Sequence, residues 1–252
     1  MTDVTTDVFG LDTVAEAQEI IARYPRSRSA LLPMLHLVQS KEGYVSPAGI
    51  AFCAHQLGLT TAEVDAVVTF YTMYKRNPCG RHLVSVCTNT LCAMLGGDAI
   101  YARLREYMGS DTHDEGHDTD HEGGTHGETF GEPGTTGSIT LEHVECLAAC
   151  DLAPVVQVNY EFFDNQTVDS ATELVDRLRA GELPQPDRGA PLTDFKGASR
   201  ELAGFFDGLD TRVDGPSAAT ETLRGAAIAA DHGWTAPVMS DDVALPAVPD
   251  QK

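Results

Sequence analysis

Apolar residues recur at three- and four-residue spacing through VAEAQEIIARY (14 to 24) and again through ALLPMLHLVQ (30 to 39), with Pro25 between the two runs. That period predicts two amphipathic helices. A third helix is predicted where Ser46 can cap and Pro47 can occupy the first turn, and a fourth where Thr60 and Glu63 can form a capping box ahead of VDAVVTFY. Past the turn Asn77-Pro78-Cys79-Gly80 the period changes, because HLVSVC (82 to 87) is short, alternating and rich in branched residues, as a strand is. A helix from Cys92 to Met108 is predicted next, followed by two strands, ITLEHVEC (139 to 146) and APVVQVN (153 to 159). Ser170 with Glu173 caps a last predicted helix, ATELVDRLRA (171 to 180). Four helices followed by strand, helix, two strands, helix read as an α+β chain: a helical bundle over 1–76 and a small α/β unit over 77–180.

Two segments break the pattern. Residues 109–138 hold eight acidic residues, four histidines and no Lys or Arg, with Phe130 as their only large apolar side chain. Such a stretch cannot bury enough surface to offset its chain entropy, so it reads as a disordered acidic, His-rich insertion, dispensable at least over 109–133. His113, His117 and His121 recur every four residues, but the surrounding glycines and carboxylates favour a solvated loop over a metal-binding helix. Residues 181–252 carry seven of the 13 prolines together with the sole tryptophan, Trp234. They read as an extended, partner-docking tail, with Leu202, Phe205, Phe206 and Leu209 at helical spacing as one anchor and Trp234 as another.

Composition narrows the function. With 17 Lys+Arg against 38 Asp+Glu, the 252-residue chain carries a formal charge of -21, which repels phosphate backbones and anionic lipid alike. Nucleic-acid binding and direct membrane insertion are not expected, since no run reaches the ~18 apolar residues of a span. The N-terminus MTDVTTDVFG lacks the basic and apolar regions of a signal peptide, so the chain is expected in the cytosol. No nucleophile elbow, glycine-rich phosphate loop or paired-carboxylate motif stands out, and no independent active site is expected.

Cysteine is where chemistry gathers. Cys87 and Cys92 form a C-x4-C at the end of one predicted strand, and Cys146 and Cys150 a C-x3-C after another. If those strands are neighbours, both pairs leave the same edge of the sheet and four soft, anionic thiolates converge. Such a set suits the two irons of a 2Fe-2S cluster or a zinc ion, and unligated thiols or disulfides are a further alternative. Four intervening residues are at the edge of the usual zinc spacing and occur in plant-type ferredoxins, which favours the cluster. Cys53, on the apolar side of a predicted helix, reads as core, and Cys79 as an exposed turn thiol. Thr88, Asn89 and Thr90 could support the site but suit ordinary turn roles, and Tyr71 and Tyr74 read as bundle packing.

VTFYTMY (68 to 74), NPCGRHLVSVCTNTLC (77 to 92) and VECLAACDLAPVVQVN (144 to 159) resemble the NuoE family of NADH:quinone oxidoreductase, respiratory complex I, over about residues 14 to 180. The resemblance implies a thioredoxin-like ferredoxin domain behind the bundle and one 2Fe-2S cluster held by Cys87, Cys92, Cys146 and Cys150. It implies an electron-transfer role in which single electrons come from FMN on a partner subunit that oxidises NADH. The implied partners are a flavin- and NADH-binding subunit of the NuoF type and a large iron-sulfur subunit of the NuoG type, on the cytoplasmic face of the inner membrane. A related subunit occurs in NAD-linked hydrogenases and formate dehydrogenases, so the equivalent diaphorase role is the alternative, and a zinc-stabilised interaction protein is a third class. The insertion and the long tail depart from the family pattern without touching a ligand.

Overall fold

The computed structural model describes residues 4–109, 127–206 and 219–238. The chain divides into two units, Met1–Ser217 and Ala218–Lys252. The first opens with α1 (Val4–Ala22), α2 (Leu31–Glu42), α3 (Pro47–Leu57) and α4 (Thr61–Phe70). Both predicted caps are present. Ser46 Oγ accepts from the Gly49 N–H at 3.0 Å, and Thr60 and Glu63 complete their capping box through bonds of 3.3 and 3.0 Å. The apolar faces meet in a core in which Ile20, Met34, Leu35, Val38 and Phe52 are fully buried. Each large side chain buried in this way contributes about 1.5–3 kcal/mol. Gly49 lets α3 approach α2, since a Cβ there would lie 2.3 Å from Val38 Cγ1.

Five strands follow: β1 (His82–Cys87), β2 (Glu128–Phe130), β3 (Ile139–Val144), β4 (Val156–Val158) and β5 (Glu161–Phe163). Their order is β2-β3-β1-β4-β5. β1 and β3 are parallel with Cys87 opposite Val144, and the other pairs are antiparallel. Parallel neighbours need a crossover, provided on this chain by α5 (Thr90–Leu95) and α6 (Gly97–Gly109). Side chains alternate across β1. Val84 and Val86 join Ile100 and Leu104 of α6 and Leu174 and Val175 of α7 (Val168–Arg179) in a second core. Leu83 turns the other way, packing on Phe195 and Cys79.

On that second face the bundle and sheet meet through buried polar groups. Lys75 Nζ pairs with Glu142 Oε2 at 2.5 Å, and Ser85 Oγ donates to Glu142 Oε1 at 2.7 Å. Gln39, fully buried towards the end of α2, accepts from the Lys75 N–H at 2.8 Å and donates to Met73 O at 3.1 Å. Each of these buried polar groups thereby has a partner, as burial requires.

Several predicted features are corrected. The helix expected over 92 to 108 is two helices, because Gly96 adopts φ 120 and ends α5. The last helix of the α/β unit starts at Val168, and Thr167 caps it, with Ser170 rather than Glu173 closing the box. The insertion is shorter than predicted, since β2 lies inside it, pairs with β3 and buries Phe130 to 8% exposure. A single apolar residue on a three-residue strand is too weak a pattern to show in such a composition. Residues 110–126, including His113, His117 and His121, lie outside the described residues.

The tail begins later than predicted. Asp194 accepts from the Gly197 N–H at 2.8 Å and starts α8 (Phe195–Leu202), which lies on α2. Phe195 is 1% exposed, Gln39 reaches Ser199, and Lys196 donates to Lys41 O at 2.8 Å. Phe205 packs on the bundle core with the Arg23 and Arg200 guanidiniums over its ring at 5.1 and 4.7 Å. The anchor expected from Leu202 to Leu209 is not one helical face: α8 stops at Leu202, Phe206 is 62% exposed, and Leu209 is outside the described residues.

In the second unit, α9 (Thr220–Asp231) has no buried residue, and Trp234 stacks on His232 with ring centroids 4.9 Å apart. No described helix is long and apolar enough to cross a membrane.

Candidate metal centre

β1 and β3 end side by side, and each delivers a cysteine pair at its carboxyl end. Cys87 closes β1, and two residues of turn lead into α5, which carries Cys92 inward. β3 ends at Val144, a loop carries Cys146, and a short 3-10 turn opens with Cys150. Backbone bonds hold these loops together: the Thr88 N–H donates to Val144 O and the Cys87 N–H to Val155 O, both at 3.1 Å. Asn89 Nδ2 adds a side-chain tie to Glu145 Oε2 at 2.6 Å. Asn89 makes no capping bond to α5, so its side chain joins the two cysteine loops instead.

The sulfurs are arranged as two pairs. Cys87 and Cys92 are buried, at 2% and 3% exposure. Cys146 and Cys150 are exposed, with their sulfurs 3.5 Å apart. That is far beyond the ~2.05 Å of a disulfide bond, and all six cysteines are free. The two cysteine loops meet at one end of the sheet, where Cys87 and Cys92 pack with Leu147 and Ala149 of the second loop. Burial, opposed by the Val155 N–H and reinforced by the Cys87 sulfur, pushes Cys92 up to about 11. The neighbouring Cys146 sulfur is the main cause that raises Cys150. Crowded thiols of this kind release their protons when a cation takes the lone pairs.

Two backbone N–H groups are aimed at the sulfurs. The Ala148 N–H donates to Cys146 Sγ at 3.4 Å from a left-handed residue (φ 56), and the Val155 N–H faces Cys92, where it favours the thiolate. Such donors stabilise added negative charge at a thiolate centre. Around the buried pair, Leu147, Ala149, Val155 and Phe162 form an apolar wall. Gly97 packs behind it, where a Cβ would lie 2.4 Å from Cys87 O.

This donor set fits a 2Fe-2S cluster, which takes two thiolates per iron.

The other predicted residues separate from this site. Cys53 is fully buried in the bundle core, and burial raises its pKa. Cys79 is not the exposed turn thiol expected: it is 5% exposed, packed with Leu83 and Phe195, and burial pushes it up to about 11. Phe195, remote in sequence, is what covers it. Tyr74 packs inside the bundle and donates to Leu32 O at 3.0 Å, whereas Tyr71 is 43% exposed. Ala148, Val155, Glu145 and Gly97 were missed. Backbone donors leave no residue-type signal, but the Gly96-Gly97 doublet just after Cys92 could have flagged a close approach.

Residues 17–179 match the family of thioredoxin-like 2Fe-2S ferredoxins. The chain is 54% identical over 223 residues to the E subunit of the NADH-quinone oxidoreductase of Mycobacterium tuberculosis, a match covering 88% of this chain and 81% of that protein. To the protein of the same name from Rickettsia bellii it is 32% identical over 181 residues, 71% of this chain and 98% of that one. A mitochondrial NADH dehydrogenase [ubiquinone] flavoprotein 2 of Dictyostelium discoideum is 29% identical over 193 residues, 75% of this chain and 70% of its own. With its two cysteine pairs at the ends of neighbouring strands, the chain belongs to the thioredoxin-like 2Fe-2S ferredoxin family.

Proposed function

We propose that the chain is the 2Fe-2S electron-transfer subunit of the NADH dehydrogenase module of a respiratory complex I, with Cys87 and Cys92 holding one iron and Cys146 and Cys150 the other. When bound, such a cluster accepts and releases one electron at a time. The observation that carries this reading is the pairing itself: one buried and one exposed thiol pair, delivered by adjacent parallel strands. The likeness to the E subunits of two NADH-quinone oxidoreductases supports the choice of complex. The Ala148 and Val155 N–H groups offset the charge that arrives with the electron, and the wall of Leu147, Ala149, Val155 and Phe162 keeps water from the inner pair. Cys146 and Cys150, being exposed, mark the edge at which electrons enter.

On this reading the immediate donor is FMN on a NuoF-type subunit that oxidises NADH, a NuoG-type iron-sulfur subunit is the other neighbour, and the assembly lies on the cytoplasmic face of the membrane. Residues 1–76 serve as the bundle and 77–180 as the cluster domain, and the docking arm begins after residue 206, with Trp234 as an anchor. The reconstituted full chain should contain iron and acid-labile sulfide in equal amounts, with a visible chromophore that bleaches on reduction. Zinc in place of iron, or no metal uptake, would overturn the proposal.

A further inference from the structure

We propose that Arg188, on the strap between α7 and α8, is the charge that holds up the reduction potential of the cluster, an inference that rests on the electron-transfer reading above. The family match ends at residue 179, and the strap lies beyond it. The strap is laced along β5: the Asp187 N–H donates to Phe162 O at 2.9 Å, Arg188 bridges Phe162 in antiparallel register, and the Ala190 N–H donates to Glu161 Oε2 at 3.0 Å. This lacing sets the Arg188 guanidinium over the Phe162 ring, 4.7 Å from its centroid. Phe162 in turn packs against the group formed by Cys87, Cys92, Ala149 and Val155. One aromatic side chain thus touches both a buried cation and the surroundings of the inner cysteine pair.

Arg188 Nη2 also donates to Asp164 Oδ1 at 2.7 Å, with only 11% and 6% of the two side chains exposed. Asp164 leads into a segment tied to the second cysteine loop, where the Asn165 N–H donates to Leu152 O at 2.8 Å and the Gln166 N–H to Pro154 O at 2.9 Å. Leu152 closes the short turn that Cys150 opens. A buried ion pair is weak evidence for stability, because desolvation cancels much of the attraction. Its field is another matter, since a charge held in low dielectric is screened far less than one at the surface. Each electron adds one negative charge to the cluster, so a nearby cation favours the reduced state and a nearby carboxylate disfavours it. On a chain of formal charge -21 the carboxylates outweigh the cations, and Arg188 is placed to oppose them beside the site.

The test is a potentiometric titration of the reconstituted full-length chain at about pH 8, where carboxylates are ionised, following the reduced-state EPR signal. Arg188→Gln should keep its iron and the shape of the signal but move the equilibrium roughly fivefold against the reduced state, about 40 mV at ~59 mV per tenfold for one electron. Arg188→Lys keeps the charge and should stay close to the unsubstituted chain, whereas a purely structural role for the guanidinium fork would make it shift as Arg188→Gln does. Asp164→Asn removes the opposing charge and should raise the potential. Unchanged potentials in Arg188→Gln and Asp164→Asn, or equal shifts in Arg188→Gln and Arg188→Lys, would overturn the proposal. If Arg188→Gln loses its cluster, Asp164→Asn decides, and an unchanged or lowered potential there would overturn it as well. An unsubstituted chain that took up no 2Fe-2S cluster would instead overturn the electron-transfer reading itself.

Discussion

Midway along the central parallel strand pair, Ser85 and Glu142 stand opposite each other and join Lys75 in a buried, fully partnered ionic junction. A few residues further on, the same two strands release four free thiols, two of them into solvent, steadied by loop bonds and two backbone donors. The middle of the pair is closed on itself, while its end presents a set of sulfur donors. The strand pair thus has a structural middle and a chemical end, and substitutions should separate them.

The largest effect is expected in the middle. Lys75→Met leaves the Glu142 carboxylate buried without its partner and should cost about 3–5 kcal/mol in denaturant unfolding. Adding Glu142→Leu should recover much of that loss, because the orphaned charge goes with it. In whatever fraction remains folded, the EPR signal of the reduced cluster should be unchanged; a shifted signal with unchanged stability would merge the two regions into one.

Acid should act on the bodies on either side of the junction through two buried histidines. Burial lowers His36 in the bundle to about 4, and burial with the nearby Arg81 charge lowers His82 at the start of β1 to about 4. Between those values and the ordinary histidine pKa near 6.5 the unfolded chain binds more protons than the folded one, so stability falls as pH drops from about 6.5 towards 4. Each histidine contributes at most about 3 kcal/mol to that slope, less in proportion to its remaining exposure. His36→Gln and His82→Gln should each flatten the profile, and an unaltered slope in both would refute the assignment.

A smaller and more local effect is expected at the chemical end. Gly97→Ala would drive a Cβ to 2.4 Å from Cys87 O, so the start of α6 must shift. Overpacking of this size costs about 1–3 kcal/mol. Because the strain falls on the inner cysteine pair, cluster retention during gel filtration should drop more than the melting temperature does, the reverse of the pattern for Lys75→Met.

How much of this was legible follows from how local each signal is. Ser46, Thr60 and Glu63 form caps within one turn, and β1 shows its alternation within six residues, so these elements could be read directly. That the two cysteine-bearing strands are neighbours was read as a condition, from the tendency of consecutive strands to pair, and it holds for β1 and β3 although β2 intervenes in the chain. Phe195 could not be placed, because its role is to fill space over Leu83 and Cys79, more than a hundred residues earlier in the chain. Likewise β2 exists because β3 offers it an edge, against the composition of its surroundings. The Val155 and Ala148 donors belong to the backbone, and no side chain announces them.

The most direct measurement is a scan of all six cysteines by single Ser replacement, reading iron content and the reduced-state EPR signal of each reconstituted full-length variant. Cys87, Cys92, Cys146 and Cys150 should each lose the cluster or change its signal, while Cys53 and Cys79 variants should keep both, even if burial of the new hydroxyl lowers their stability. Full iron and an unchanged signal in any of the first four, or a cluster lost from a folded Cys79→Ser chain, would contradict the account.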